Sequence, residues 1–209
     1  MPESQPLKLA VLVSGNGSNL QAIIDRIEDG GINARIECVV SNSPAAFALE
    51  RAARYGIPTV IQESRGFSDR RAYDEALVGI LRGYGVELVV LAGFMRILSD
   101  VMIGAYPHAI MNIHPALLPA FPGLNPQKQA IEYGVRLSGC TVHFVDLGTD
   151  TGPIILQAAV PVEQDDTVEA LSSRILTEEH RIYPEAVRLF AAGKIAVNGR
   201  HVRISHNIA

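Results

Sequence analysis

Cysteine, excess basic charge and long apolar runs are all scarce in this sequence, and each shortage removes a class of protein. Cys38 and Cys140 are the only cysteines among 209 residues. Each lies in an apolar, β-like run, so the expectation is two buried free thiols in a reducing compartment rather than a disulfide framework. Eighteen Lys and Arg stand against 22 Asp and Glu, a net charge of −4. A nucleic-acid groove ordinarily needs a basic face, so no nucleic-acid partner is expected. No apolar run approaches the ~20 residues of a membrane span, so no membrane partner is expected either. The opening "MPESQPLKLAVLVSGNG" has no basic segment followed by a long apolar one. It reads as a strand ending in glycines rather than a secretion signal, and the protein as cytoplasmic. There is no repeat, low-complexity segment or internal linker. Hydrophobic content of 48% with 19% charged residues is ordinary for a globular chain.

What is present alternates regularly. Strands are expected at 8–14, 34–42, 57–62, 86–93, 109–114, 138–146 and 153–162. Helices are expected at 18–30, 47–56, 68–85, 99–106, 126–134 and 167–193, the last bent near Pro184. Asn198-Gly199 within 194–204 is a strong hairpin signal. Continuous apolar strands alternating with helices predict an α/β fold: a mostly parallel twisted sheet with helices on both faces, then a long C-terminal helix and a small hairpin. Such sheets bind ligands outside the carboxyl ends of their strands.

Two segments at such strand ends carry chemistry. "SGNGSN" (14–19) joins the first strand to the first helix. Glycines permit close backbone approach, and a helix N-terminus offers free N–H groups and a positive dipole end to an anion. The third glycine of a dinucleotide fingerprint is replaced by Leu20, and no acid ends strand two, where Ser41 and Asn42 stand. Gly-Lys-Ser/Thr is missing too, so a phosphate monoester fits better than a nucleotide. A tight turn with a capping serine is the plain structural alternative.

The second segment is "NIHPALLPAFPG" (112–123). Asn112 and His114 are two apart on a strand and so share one face at its carboxyl end. An amide N–H can donate to a developing oxyanion, and an imidazole beside it can donate a proton or hydrogen bond. Pro115, Pro119 and Pro122 forbid helix and shape an irregular rim. The loop "DLGTDTGP" (146–153) offers Asp146 and Asp150 as carboxylates to orient the imidazole. His114 as a purely structural histidine is the alternative. Asp150-Thr151-Gly152 matches the aspartic protease triplet only once, in an α/β context. "GNGSN" departs from Gly-x-Ser-x-Gly. His143 and Cys140 have no metal-ligand partners at useful spacing, so no metal is expected, and His143 is expected to be packed or to support the site.

With "SGNGSNLQAIID", "AGFMRIL" (92–98), "NIHPALLPAFPG", "GCTVHFV" and "DTGPIILQ" in this order, the sequence resembles the glycinamide ribonucleotide formyltransferases, from about Leu9 to about Phe190. The resemblance implies a Rossmann-like formyltransferase fold in a single domain (1–209), with a phosphate-binding half (8–106) and a catalytic, folate-binding half (107–209). It implies formyl transfer from 10-formyltetrahydrofolate, as co-substrate, to glycinamide ribonucleotide in de novo purine synthesis. Asn112, His114 and Asp150 would be the catalytic set. Gly17, Ser18 and Asn19 would hold the 5′-phosphate, and Leu176, Thr177, Glu178 and Glu179 would touch the ribose and glycinamide. Arg70, Met95, Arg96, Ile97, Leu98 and Asn112 would line the folate site, with Asp146, Leu147, Gly148, Thr149 and Asp150 around the pteridine. Where some relatives carry histidines after "PGL", this chain has Asn125, Pro126 and Gln127. A formyltetrahydrofolate hydrolase is the alternative, expected to carry an extra N-terminal domain. A folate- or phosphosugar-binding protein without catalysis is another. Relatives occur as monomers or homodimers.

Overall fold

Five strands run parallel through the middle of the molecule, and two more extend one edge, each antiparallel to its neighbour. The computed structural model describes residues 5–205. The elements are β1 (Leu7–Val13), α1 (Ser18–Glu28), β2 (Ala34–Ser41), α2 (Phe47–Arg54), β3 (Thr59–Ile61), α3 (Arg70–Gly83), β4 (Leu88–Leu91), α4 (Asp100–Ala105), β5 (Ile110–His114), α5 (Pro126–Tyr133), β6 (Leu137–Phe144), β7 (Ile154–Pro161), α6 (Val168–Ala191), β8 (Ile195–Asn198) and β9 (His201–Ile204). The sheet order is β3-β2-β1-β4-β5-β6-β7, with β8 and β9 as a separate hairpin. The β5–β6 and β6–β7 pairs are antiparallel.

The continuous apolar strands are explained by two cores, one on each face. Along β1, Leu9, Val11 and Val13 enter one cluster with Leu20, Ile23 and Ile24 of α1 and Leu171, Ile175 and Ile182 of α6. Ala10 and Leu12 enter the other, with Tyr73, Leu77 and Leu81 of α3 and Met102 of α4. A strand buried on both sides has no polar face to display. The helices start where their caps allow: Asp69 accepts from the Ala72 amide at 2.9 Å, and Thr167 from the Ala170 amide at 3.2 Å. Both thiols are fully buried, Cys38 in the α3 core and Cys140 in the α6 core.

Two expected strands are shorter than their apolar runs. The run 57–62 pairs only over Thr59–Ile61, because Pro58 has no N–H to give the ladder. The run 86–93 pairs over Leu88–Leu91 and ends near Gly93, whose φ of 75° turns the chain out of the sheet. Helix α6 runs continuously through Pro184. No described helix is long and apolar enough to cross a membrane.

Candidate active site

On the α3 face of β5, every second side chain changes character. Ile110 belongs to the core, but Asn112 and His114 follow on the same face, beyond the apolar cluster. The antiparallel register puts His143 opposite Asn112 and Thr141 opposite His114. Two polar pairs therefore stand side by side, with His114, Thr141 and His143 buried and Asn112 half-buried. The loop 145–153 folds over them. It places Asp150 Oδ2 3.4 Å from His114 Nδ1 and Asp150 Oδ1 3.8 Å from His143 Nε2. Asp150 holds a φ of 55°, an uncommon conformation for a side-chain-bearing residue, and its Oδ2 also accepts from the Gly123 amide at 2.8 Å.

The histidines are fixed by what their ring nitrogens face. His143 Nδ1–H donates to the Phe144 carbonyl at 2.8 Å, which leaves Nε2 to accept from Asn112 Nδ2 at 3.2 Å. That tautomer is neutral, and burial pushes the His143 pKa down despite the Phe144 hydrogen bond. Accepting one Asn112 N–H fixes the amide's orientation and leaves its second N–H to be presented outward. His114 Nε2 donates to the Phe121 carbonyl at 2.9 Å. The ring thus lies between a rim carbonyl and a carboxylate.

The rim is tied down by β6 and β7. The Thr141 hydroxyl donates to Ala116 O at 2.7 Å and accepts from Leu118 N at 3.0 Å, while Gln157 Nε2 donates to Leu118 O at 2.9 Å. The opposite loop is self-braced: Asp146 Oδ1 accepts from Gly148 N and from the Thr151 hydroxyl, at 3.1 and 2.6 Å. A Cβ on Gly152 would collide with the Phe144 carbonyl, so the loop returns through a place only glycine fits.

Two strands away, Gly17 caps α1 at φ 75° with no side chain supplying the cap, so the first-turn amides remain available to a ligand. Ser18 opens the helix and is half-buried. Asn19 does not point its amide at that loop. Its Nδ2 donates to Glu179 Oε2 at 2.8 Å, and its buried Oδ1 has no partner in the protein. Burial raises the Glu179 pKa, partly offset by the Asn19 hydrogen bond. Among its neighbours, Leu176 is half-buried, Thr177 bonds back to Ser173 O, and Glu178 pairs with Arg181. Glu179 alone of this quartet is joined to the glycine-loop helix.

Between the two lies the segment after β4. Met95 N donates to Ser14 Oγ at 2.8 Å, tying it to the end of β1. Met95 and Ile97 are 72% and 62% exposed, and Leu147 across the site is 73% exposed: an apolar surface with no protein cover. Leu98 is instead in the core. The Arg96 guanidinium stacks 3.9 Å over the Tyr73 ring, and its buried Nε has no partner. Arg70 is exposed in the first turn of α3 with no side-chain partner among the described residues, and Thr149 is exposed. Arg71 of that turn pairs with Asp100, and buried Asp74 accepts from Ser99 N and Oγ at 2.5 and 2.7 Å. The structure thus pairs His114 with Asp150 directly, brings Asn112 to them through His143, and joins Asn19 to Glu179. No contact joins Arg70 to either group.

His143 is packed and supports the site, as expected from its sequence, but its particular partner, Asn112, was not foreseen. Sequence reasoning missed Thr141, Gln157 and Arg51 as supports. Among the described residues, no three His, Cys, Asp or Glu side chains are grouped as around a metal ion.

The chain is 50% identical over 195 residues to the trifunctional purine biosynthetic protein adenosine-3 of Drosophila pseudoobscura pseudoobscura, covering 92% of this chain but only 14% of that protein. It is 45% identical over 192 residues to phosphoribosylglycinamide formyltransferase of Escherichia coli (strain K12), covering 92% of this chain and 91% of that one. Glycinamide ribonucleotide transformylase 1 from Symbiobacterium toebii superposes with a TM-score of 0.96 at 53% identity, over 98% of this chain and 96% of that chain. The formyl transferase family model matches residues 7–187, and the chain belongs to that family.

Proposed function

We propose that the protein transfers the formyl group of 10-formyltetrahydrofolate to the amine of glycinamide ribonucleotide, releasing tetrahydrofolate and the formylated ribonucleotide. The observation that carries this reading is the grouping of His114, Asp150 and, through His143, Asn112 at one strand end. Likeness to the formyltransferases of Escherichia coli and Symbiobacterium toebii supports the choice of substrates.

The 5′-phosphate sits against the backbone of Gly17, Ser18 and Asn19 at the start of α1, where first-turn amides and the helix dipole favour an anion. Glu179 and the unpartnered Asn19 Oδ1 face the ribose and glycinamide. The folate lies over Met95, Ile97 and Leu147, with Leu98 supporting from the core and Asp146, Gly148 and Thr149 shaping the pteridine wall. Arg70 receives the glutamate end. The amine attacks the formyl carbon, and its electron pair opens the C=O to an oxyanion. The free N–H of Asn112 and the His114 Nε2–H, which exchanges the Phe121 carbonyl for the oxyanion, stabilise that charge, each such donor being worth ~3 kcal/mol. Asp150 orients the His114 ring. The attacking nitrogen loses a proton and N10 gains one, and the oxyanion then re-forms the C=O as the C–N10 bond breaks. Holding both substrates across adjacent strand ends makes the encounter effectively unimolecular.

The test is folate absorbance with both substrates present. Product formation that requires the ribonucleotide is expected. Tetrahydrofolate release without it would replace this reading with a hydrolase, and saturable binding without turnover would replace it with a binding protein.

A further inference from the structure

The glycine loop is not self-supporting, because the start of α2 is fitted against it. Ala48 N donates to Gly15 O at 3.1 Å. A Cβ on Gly17 would lie 2.5 Å from the Ala48 Cβ, so the two backbones touch. One turn further along α2, Arg51 reaches over the loop with all three of its nitrogens. Nε donates to Asn16 O at 2.9 Å, Nη2 to Asn16 Oδ1 at 3.1 Å, and Nη1 to Gln21 Oε1 at 3.3 Å. The Phe47 ring lies 5.0 Å from the guanidinium carbon and fixes its plane. Arg51 therefore spans the loop and the first turn of α1 as one rigid fork.

The charge of this arginine is as informative as its geometry. Arg26, Arg54, Arg181 and Arg188 each face a carboxylate of their own helix or its cap. The hydrogen-bond partners of Arg51 are a carbonyl and two side-chain amides, all neutral. Its full charge is thus delivered beside the loop, where it adds to the helix dipole.

We propose that Arg51 is a positioning residue that holds the glycine loop with its amides turned outward and so makes the enzyme demand a phosphorylated substrate. This rests on the reading that the loop receives the 5′-phosphate. Arg51 acts through Asn16 and the loop backbone, so its loss weakens capture of the phosphate end and leaves the folate end and the formyl chemistry unchanged.

The experiment compares kcat/KM for glycinamide ribonucleotide with that for its dephosphorylated riboside, in the wild type, R51Q and R51K. In R51Q the preference for the phosphorylated substrate should fall about 10- to 100-fold, the range expected for lost hydrogen bonds to charged groups. The loss should appear in KM for the ribonucleotide, with KM for the folate donor unmoved. R51K keeps the charge but not the three-way fork, and should fall between the wild type and R51Q. A preference intact in R51Q, or in R51K where R51Q does not fold, would overturn the proposal. A wild type with no preference for the phosphate would instead remove the reading of the loop on which it rests.

Discussion

The two ligand-facing ends of this sheet are built from opposite materials. At the end of β1 the working groups are backbone amides, and side chains such as Ala48 and Arg51 only brace them. At the end of β5 the working groups are side chains, and backbone carbonyls such as Phe121 and Phe144 brace them. Amides presented by a glycine loop can hold a group that stays anionic throughout. In the proposed reaction, Asn112, His114 and Asp150 meet charge that appears only while a bond is forming, which requires groups fixed in advance. Binding and chemistry should therefore fail separately.

Four substitutions sharpen that division. The largest effect belongs to His114→Ala: kcat should fall by ~10³-fold with ribonucleotide KM little changed, as for loss of a transition-state donor and its coupled partner. Steady-state kinetics on the folded variant check this, and near-wild-type kcat would refute the role. Gly17→Ala is the counterpart. With φ at 75° and Ala48 in the way, it should raise ribonucleotide KM ~10-fold and cost about 1–2 kcal/mol of stability by denaturant melts, leaving folate KM alone.

His143→Gln should lower kcat ~10-fold, because Asn112 loses its fixed acceptor. It should also change the pH dependence. In the wild type, a protonated His143 would turn an N–H toward the Asn112 N–H, so kcat should drop as pH falls through the depressed folded pKa. The variant should lack that limb. The stability that follows from keeping His143 neutral has the matching sign. It is fully present above the ordinary histidine value of about 6.5 and is lost as pH falls toward the lowered one.

The smallest effect, and the only gain, is expected of Glu179→Gln. The raised folded pKa of Glu179 means that its favourable contribution is complete below the ordinary glutamate range and lost as pH rises through the folded value. At neutral pH the amide should add about 1 kcal/mol of stability while weakening the ribonucleotide. A Tm series across pH would show the difference between the two proteins vanish in acid.

How legible each end was follows from the same division. The glycine loop could be placed between a strand end and a helix start because its signal is local: a strand, two glycines, a helix start. Asn112 and His114 were legible as a pair because a strand's period of two is local as well. Asp150 was only one of two loop carboxylates until its αL backbone turned it back over β5. Asp146, its rival, is occupied with Gly148 and Thr151. His143 depended on the antiparallel register of β5 and β6, which two separated apolar runs do not announce. Arg51 looked like any surface helix arginine, and only the packing of α2 against the loop gave it partners. The mostly parallel sheet with both faces covered followed from apolar patterning, since burial on both faces leaves a plain signature, whereas the strand order had no local sign. Strand limits moved where Pro58 and Gly93 intervened.

The burial of Cys38 and Cys140 has a practical consequence. Each thiol is sealed in a different core, one on either side of the sheet, and burial pushes both pKa values up to about 12. A thiolate is the reactive species, so toward an alkylating reagent at neutral pH the native chain behaves as if it held no sulfhydryl. Modification must wait for an opening event, and each site times the opening of its own side. The two cysteines form a built-in pair of clocks, and a labelling time course would show whether the α3 and α6 layers part from the sheet together or one after the other.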